Sequence, residues 1–361
     1  MRTAVVLGTR PEIIKLAPVI RALEKRKSDF FVLHTGQHYS YNMDRVFFEN
    51  LRLEAPSINL RVGSGTHAEE TGRMMIGIEK VLKAEHATGL LVEGDTNSVL
   101  AGALTAAKLH LKVGHVEAGL RSWDRRMPEE LNRIVADHLS DLLFSPTSQS
   151  KSNLLREGID PAKVFVTGNT IVDSVNQNLQ LATRAGQSSI VARLGSKYML
   201  ATVHRQENVD DPERLQGILA GLELAAERTE MPVVYPAHPR SRKVIEERGL
   251  GKNLHWVRMT PPVDYLQFLK LEKEAQLILT DSGGVQEEAC ILRVPCVTMR
   301  DSTERPETVQ VGANTLAGAD PKVIVKKALQ MLARERRWKN PFGDGKAAQR
   351  IVKAWTTAPF K

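Results

Sequence analysis

The chain has 361 residues, too many for one ordinary hydrophobic core and enough for two domains of roughly 150 to 200 residues with a cleft between them. Hydrophobic content of 42% with 25% charged residues is that of a soluble globular protein, and no apolar run reaches the roughly 20 residues of a membrane span. The net charge of +8 admits an anionic partner, but Lys and Arg are scattered and only 5% of residues are aromatic, which argues against nucleic acid and for a phosphate-bearing small molecule.

Short Val/Ile/Leu-rich runs alternate with longer amphipathic stretches, the pattern of βα units and a parallel sheet. The first run, TAVVLG, is too short for a secretory signal, so a cytoplasmic protein is expected. It ends in GTRPE, with one glycine where dinucleotide binding wants GxGxxG, which argues against bound NAD or FAD. Arg10 and Lys15 follow at the start of a helix that Pro11 favours. Arg10 stands at a strand's carboxyl end, whereas Lys15 reads equally well as surface charge.

FFVLHT, GLLVEG, KVGHVE, DLLFS and KVFVTG supply the other strands of the first half. Asp95 in LLVEGDTN and Glu117 in GHVEAGLR each close an apolar run, and Glu129 follows Pro128 in MPEELNR. Ligands of open α/β sheets bind beyond the carboxyl ends of the strands, so these acids are aimed at one place, a layout for proton chemistry. Asp95 could instead cap the helix of TNSVLAGALTAAKLH, and Glu129 could serve a helix dipole. Glu117, beside His115 and Arg121, has no such alternative and is expected to be partly buried.

The weakly periodic stretch ATRAGQSS marks a junction near Gly168 to Ser196, giving domains 1–169 and 170–344. The second half opens like the first, with strand, polar turn and long helix, and continues through KYMLATV, MPVVYPA, NLHWVR, AQLILT and VPCVTM. Two Rossmann-like domains are therefore expected. His204 and His238 stand at consecutive strand ends, facing the cleft. In LILTDSGGVQEEA a strand runs into Ser282, Gly283 and Gly284 before a helix, so free N–H groups and the positive dipole end are offered to a phosphate. A plain tight turn is the alternative. Glu288, one turn further on, could accept from a ribose hydroxyl, and Arg305 in TERPE is a further cation for phosphate. Cys290 and Cys296 read as buried packing, and without HExxH or comparable ligand spacing no metal site is expected. Serine-nucleophile, P-loop and kinase signatures are absent from the sequence.

GTRPEIIKLAP, TGQH, GDTN, HVEAGLR, PEELNR, GNTIVD, HRQEN, DSGGVQEEA, MRDSTERPE and NPFGDG occur in this order across nearly the whole chain. Together they closely resemble the non-hydrolysing UDP-N-acetylglucosamine 2-epimerases. The resemblance implies an α/β GT-B fold, two Rossmann-like domains with parallel sheets facing a central cleft, in a homodimer, with a last helix at about 345–361 packing back on the first domain. It implies interconversion of UDP-N-acetylglucosamine and UDP-N-acetylmannosamine, without NAD or an essential metal, for polysaccharide or glycan synthesis. By motif matching, Arg10, Ser282, Gly283, Gly284, Glu288 and Arg305 would hold UDP, with Phe268 near the uracil. Lys15, Asp95, Glu117, Glu129 and His204 fall on the family's active-site positions, and His238 is a further substrate-binding candidate.

The implied chemistry is elimination of UDP from C1 as a base removes the C2 proton, then re-addition to the 2-acetamidoglucal with the proton returned on the other face. Inversion at C2 needs groups on both faces of the ring, so more than one carboxylate is required. The leaving diphosphate falls to Arg10, Arg305, His204 and the helix start after Ser282. The strings QHYSYNMDRVFFENL and GSGTHAEETGRM depart from many bacterial members, in which a second UDP-N-acetylglucosamine acts as activator near that loop, so the resemblance leaves activation of this chain open. The motifs also resemble epimerases of UDP-2,3-diacetamido-glucuronic acid, with GTRPEIIK and TERPE favouring the simpler sugar. A GT-B glycosyltransferase and a non-catalytic nucleotide-sugar sensor are the rival classes.

Overall fold

A computed structural model of the chain describes residues 1–36, 47–184 and 197–358. Residues 37–46, which hold QHYSYNMDRV, residues 185–196 of the expected junction, and residues 359–361 lie outside the described residues. The contacts divide the chain into two units, Met1–Asn176 with Phe342–Lys361, and Gln177–Pro341. No helix among the described residues is long and apolar enough to cross a membrane.

The first unit holds β1 (Thr3–Leu7), β2 (Phe30–His34), β3 (Ile58–Asn59), β4 (Gly89–Glu93), β5 (Lys112–Val116), β6 (Leu142–Ser145) and β7 (Val164–Val166), in the order β3-β2-β1-β4-β5-β6-β7. Every pairing is parallel. β1, β4 and β5 are buried along their whole length, which is why they read as continuous apolar runs rather than as alternation. The strand order reverses between β1 and β4, and the loops leaving their carboxyl ends carry Arg10 and Asp95. On one face of the sheet Met74, Ile78 and Leu82 of helix His67–Ala84 and Val99, Ala103 and Ala106 of helix Asn97–Lys108 pack on Val6, Leu33, Leu90 and Val92.

The last helix, Ala347–Thr357, belongs to this first unit. Its Trp355 is fully buried and donates from Nε1 to Thr3 Oγ1 at 3.0 Å. Gly89 and Gly114 make room for the indole: a Cβ on either would come within 2.9 Å of it. Asp173 accepts the N–H groups of Ala347 and Ala348, both at 3.1 Å, so the first turns of helix Thr170–Arg184 are tied to the last helix. That is why the seam falls between Asn176 and Gln177, inside a helix, where the sequence reading put it at 169/170.

The second unit repeats the plan with β8 (Met199–Thr202), β9 (Val233–Pro236), β10 (Val257–Thr260), β11 (Leu277–Thr280), β12 (Cys296–Thr298) and β13 (Asn314–Leu316), in the order β10-β9-β8-β11-β12-β13. Its reversal lies between β8 and β11, which deliver His204 and Ser282. β10 starts later than the string NLHWVR suggests, because the Glu223 carboxylate takes the N–H groups of His255, Trp256 and Val257 at 2.7 to 3.1 Å. Cys290 and Cys296 are buried and unpaired, as expected from the sequence, and burial pushes the Cys290 thiol up to about 12.

Candidate active site

In the first unit the site is built around the turn after β1. Glu12, in the first turn of helix Arg10–Lys25, accepts Gly8 N at 2.8 Å, Thr9 N at 2.6 Å and Thr9 Oγ1 at 2.8 Å, while its other oxygen accepts Thr96 Oγ1 at 2.6 Å. One carboxyl therefore joins the loops that leave β1 and β4. Burial raises its pKa to about 7, in spite of the hydrogen bonds that pull the other way.

Lys15 lies on the buried face of the same helix, so it is not the surface charge that the sequence left open. Its ammonium contacts the Glu117 carboxylate and stands 3.6 Å from Glu93 Oε1, with all three side chains less than a tenth exposed. Asn169 donates to the same Glu117 oxygen at 3.1 Å. Glu117 follows β5 directly and holds φ at +68°, a left-handed backbone that costs a non-glycine residue about 1–3 kcal/mol and persists only where neighbours over-determine it. Glu93 ends β4, and burial holds its carboxyl well above the usual range, opposed by Lys15 and reinforced by Glu117, Glu12 and Asp95. Arg10 is exposed, with its guanidinium 5.8 Å from the centre of the Phe47 ring.

Asp95 lies in the loop beyond β4 and is a third exposed at its side chain. It does not cap the following helix, because Thr96 takes that position and accepts Val99 N. Its carboxylate is instead gripped by Arg133, from Nε at 3.0 Å and from a terminal nitrogen at 2.7 Å. Arg133 also contacts Glu130, which accepts Ser122 N and Trp123 N. Glu129 sits half-buried in the first turn of helix Pro128–Leu139, where its charge suits the dipole, and it has no ion pair with the described residues.

In the second unit Asp281 organises the switch point. Its buried carboxylate accepts His204 N at 3.0 Å, Arg205 N at 3.0 Å and Asn208 Nδ2 at 3.1 Å, and lies 3.1 Å from His204 Nδ1. These partners lower its pKa although burial works to raise it. The His204 ring is thereby aimed outward, 44% exposed. His204, His238 and Phe268 line one pocket of about 160 Å³ together with Thr202, Val203, Pro236, Pro262 and Val263.

Ser282 caps helix Gly283–Leu292. A Cβ built on Gly283 would meet no protein atom nearer than 3.8 Å, and one on Gly284 none nearer than 3.9 Å, so packing demands neither glycine. What they keep open is the space before the helix's amino end. Glu288 is buried on the same helix and accepts the Tyr265 hydroxyl at 2.9 Å. Arg305 is nearly buried and ion-paired with Glu287 at 2.6 Å. The structure thus brings Lys15 and Glu117 into contact, sets Asp95 on the neighbouring strand's loop, and groups His204, His238 and Phe268.

The sequence reading passes over Glu12, Glu93, Arg133 and Asp281. Glu93 carried a readable signal, a carboxylate ending a wholly apolar strand two residues before Asp95. Glu12 carried one too, the T-x-x-E spacing of Thr9 and Glu12 that makes a capping box, whereas Arg133 and Asp281 act through partners distant in sequence.

The family model described as UDP-N-acetylglucosamine 2-epimerase matches residues 21–356. The chain is 54% identical to the UDP-N-acetylglucosamine 2-epimerase of Methanocaldococcus jannaschii over the whole of both chains. It is 44% identical, over 98% of each chain, to the UDP-2,3-diacetamido-2,3-dideoxy-D-glucuronate 2-epimerase of Pseudomonas aeruginosa. The crystal structure of the M. jannaschii enzyme in complex with UDP-GlcNAc and UDP superposes with a TM-score of 0.92 over 99% of each chain. The two-unit α/β architecture is accordingly of the GT-B type expected from the motifs.

Proposed function

The chain belongs to the UDP-N-acetylglucosamine 2-epimerase family, and from that premise we propose that it interconverts UDP-N-acetylglucosamine and UDP-N-acetylmannosamine. The observation that carries the reading is the gathering of Asp95 and Glu117 at the carboxyl ends of adjacent strands, with Lys15 on Glu117. Inversion at one carbon needs a proton acceptor on one face and a donor on the other, and a single carboxylate cannot serve both.

In this reading a carboxylate takes the C2 proton, the C2–H electron pair becomes the C1–C2 double bond, and the C1–O pair leaves with UDP. The glucal stays bound, UDP adds back to C1, and a second acid returns a proton to the opposite face of C2. Asp95, Glu117 and Glu129 share these roles, without a face assigned to each. The leaving diphosphate is taken up by Arg10, Arg305, His204 and the open amino end at Ser282, Gly283 and Gly284, where N–H dipoles stabilise the developing anion without reorganising. Glu288 accepts from the ribose, and the pocket of His204, His238 and Phe268 takes the base side of the nucleotide.

Incubation with UDP-N-acetylglucosamine alone in deuterated water tests this. An epimerase forms UDP-N-acetylmannosamine with deuterium at C2. A glycosyltransferase or a sensor leaves C2 unlabelled, and that outcome rejects the reading.

The relative from P. aeruginosa supports a second substrate, UDP-2,3-diacetamido-glucuronic acid, on the same scaffold. Assaying both sugars side by side for C2 inversion decides between them. We further propose a homodimer in the cytoplasm. Leu131 and Val135, one turn apart on helix Pro128–Leu139 and both exposed, support an interface with a second copy.

A further inference from the structure

We propose that His115 is a positioning residue held as an imidazolium, and that with Asp137 it clamps the two loops that carry Asp95 and Glu117. The proposal deepens the reading of this edge as the proton-transfer part of the site and rests on it.

His115 is on β5 and wholly buried. Its Nδ1 lies 2.7 Å from Asp137 Oδ1 and its Nε2 lies 2.8 Å from the Gly94 carbonyl oxygen. A neutral imidazole has one N–H and one lone pair. In either neutral tautomer one of these contacts would set a lone pair against an oxygen inside a buried site, which is costly. Two N–H groups satisfy both contacts. Asp137 is not the missing donor, because its other oxygen accepts Gly119 N at 3.2 Å and pairs with the Arg121 guanidinium at 2.8 Å, and both partners favour the carboxylate.

The charges around the ring balance. Arg121, from the loop after β5, opposes a cation at His115, and it is itself held by Glu157 through two bonds of 2.7 and 2.6 Å. His115, Arg121, Asp137 and Glu157 form a closed set of two cations and two carboxylates, the arrangement in which buried charges are tolerable. Burial alone would lower the His115 pKa, but the Asp137 charge and the bonds to Asp137 and Gly94 outweigh it and the net direction is upward. Asp137 moves downward although its own burial opposes that, under the charge of His115 and its bond to it, with Arg121 adding to both.

The clamp acts on both loops at their turning points. The Gly94 carbonyl immediately precedes Asp95, and Gly119, held through its N–H by Asp137, lies two residues after Glu117. Both glycines turn in the left-handed region, at φ of +85° and +87°. Loss of the clamp frees the turns that set the separation of the two acids, and a misplacement of about 1 Å costs on the order of 100-fold in rate.

The test uses the full-length protein with 15N-labelled histidine. Long-range proton–nitrogen spectra are expected to show both His115 ring nitrogens protonated and unchanged between about pH 6 and 9. A neutral tautomer there, or titration near the ordinary value of about 6.5, overturns the proposal. His115→Gln keeps one donor nitrogen for two acceptors, and its kcat is expected to fall about 100-fold with KM within about twofold. Unchanged kcat in a folded His115→Gln protein overturns the proposal too, and if that variant fails to fold, the wild-type spectra decide. Asp137→Asn is expected to let His115 become neutral and to reproduce the kcat loss; a His115 still doubly protonated in that variant counts against the clamp. Absence of C2 exchange in the wild-type enzyme would reject the epimerase reading, while the protonation state of His115 in the spectra would still decide for or against the imidazolium.

Discussion

The Lys15 ammonium lies against the Glu117 carboxylate, 102 residues away in sequence, and 3.6 Å from Glu93. One cation therefore serves two carboxyls that are almost wholly buried. Lys15→Met keeps the stem's bulk and removes the charge that faces Glu117 and Glu93. Removing one partner of a buried pair destabilises by about 3–5 kcal/mol, so a clear fall in the urea midpoint is expected. Turnover should drop at least about 100-fold, because Lys15 fixes the position of one of the acids proposed to share proton transfer. A variant with the wild-type midpoint would show that the pair carries no such weight.

Glu12 predicts a pH dependence of stability with a definite sign. Its folded pKa is raised from 4.5 to about 7, so between those values the folded protein keeps a proton that the unfolded chain has released. Stability contributed by this proton is full below the unfolded value, falls as pH rises through the window by roughly 3 kcal/mol, and is flat above it. Glu12→Gln retains an oxygen for Gly8 N and Thr9 N, and Thr96 Oγ1 can turn to accept from the amide. Urea midpoints at about pH 5 and 7.5 should differ less in Glu12→Gln than in the wild type. Equal differences in the two proteins would refute this.

Gly283→Ala separates ligand from fold. The new methyl meets nothing of the protein closer than 3.8 Å, and Gly283, the first residue of its helix, does not hold a left-handed backbone that would strain an alanine. The melting temperature should hold or rise slightly. The methyl would occupy the space before the helix's amino end, so UDP affinity measured by calorimetry should fall about tenfold or more. If affinity is retained, the diphosphate does not sit there.

How much of this was legible depended on how locally each feature is specified. Both sheets could be read from runs such as TAVVLG and LILT because strands buried on two faces leave continuous apolar text. β3 and β13 could not, since two or three residues at a sheet edge, Ile58–Asn59 and Asn314–Leu316, carry no such run. At the site, Asp95, Glu117, His204 and Ser282 announce themselves by standing just past strands. Their pairings do not: Arg133 reaches Asp95 across 38 positions, and Asp281, though itself just past β11, takes the backbone N–H of His204 from 77 positions away. Such pairings follow only from the strand order that brings β4 beside β5 and β8 beside β11.

The proposed homodimer makes the last prediction. Helix Pro128–Leu139 turns Glu130, Arg133 and Asp137 inward, yet exposes Leu131 and Val135 at 42% and 39%. Trp123, five residues before that helix begins, is also exposed, at 61%. Most homo-oligomers are two-fold symmetric, so the same helix from each copy would meet at the interface and every substitution would count twice. Leu131→Glu with Val135→Glu would set four carboxylates against one another there, a repulsion that a buried interface does not tolerate. The wild type should sediment as a dimer at micromolar concentration and the double variant as a monomer, with the helix intact by circular dichroism. Because Arg133 and Asp137 alternate with these positions, turnover of the monomer should fall several-fold rather than vanish. A wild-type monomer, or a double variant that keeps the dimer mass, would remove this face as the interface.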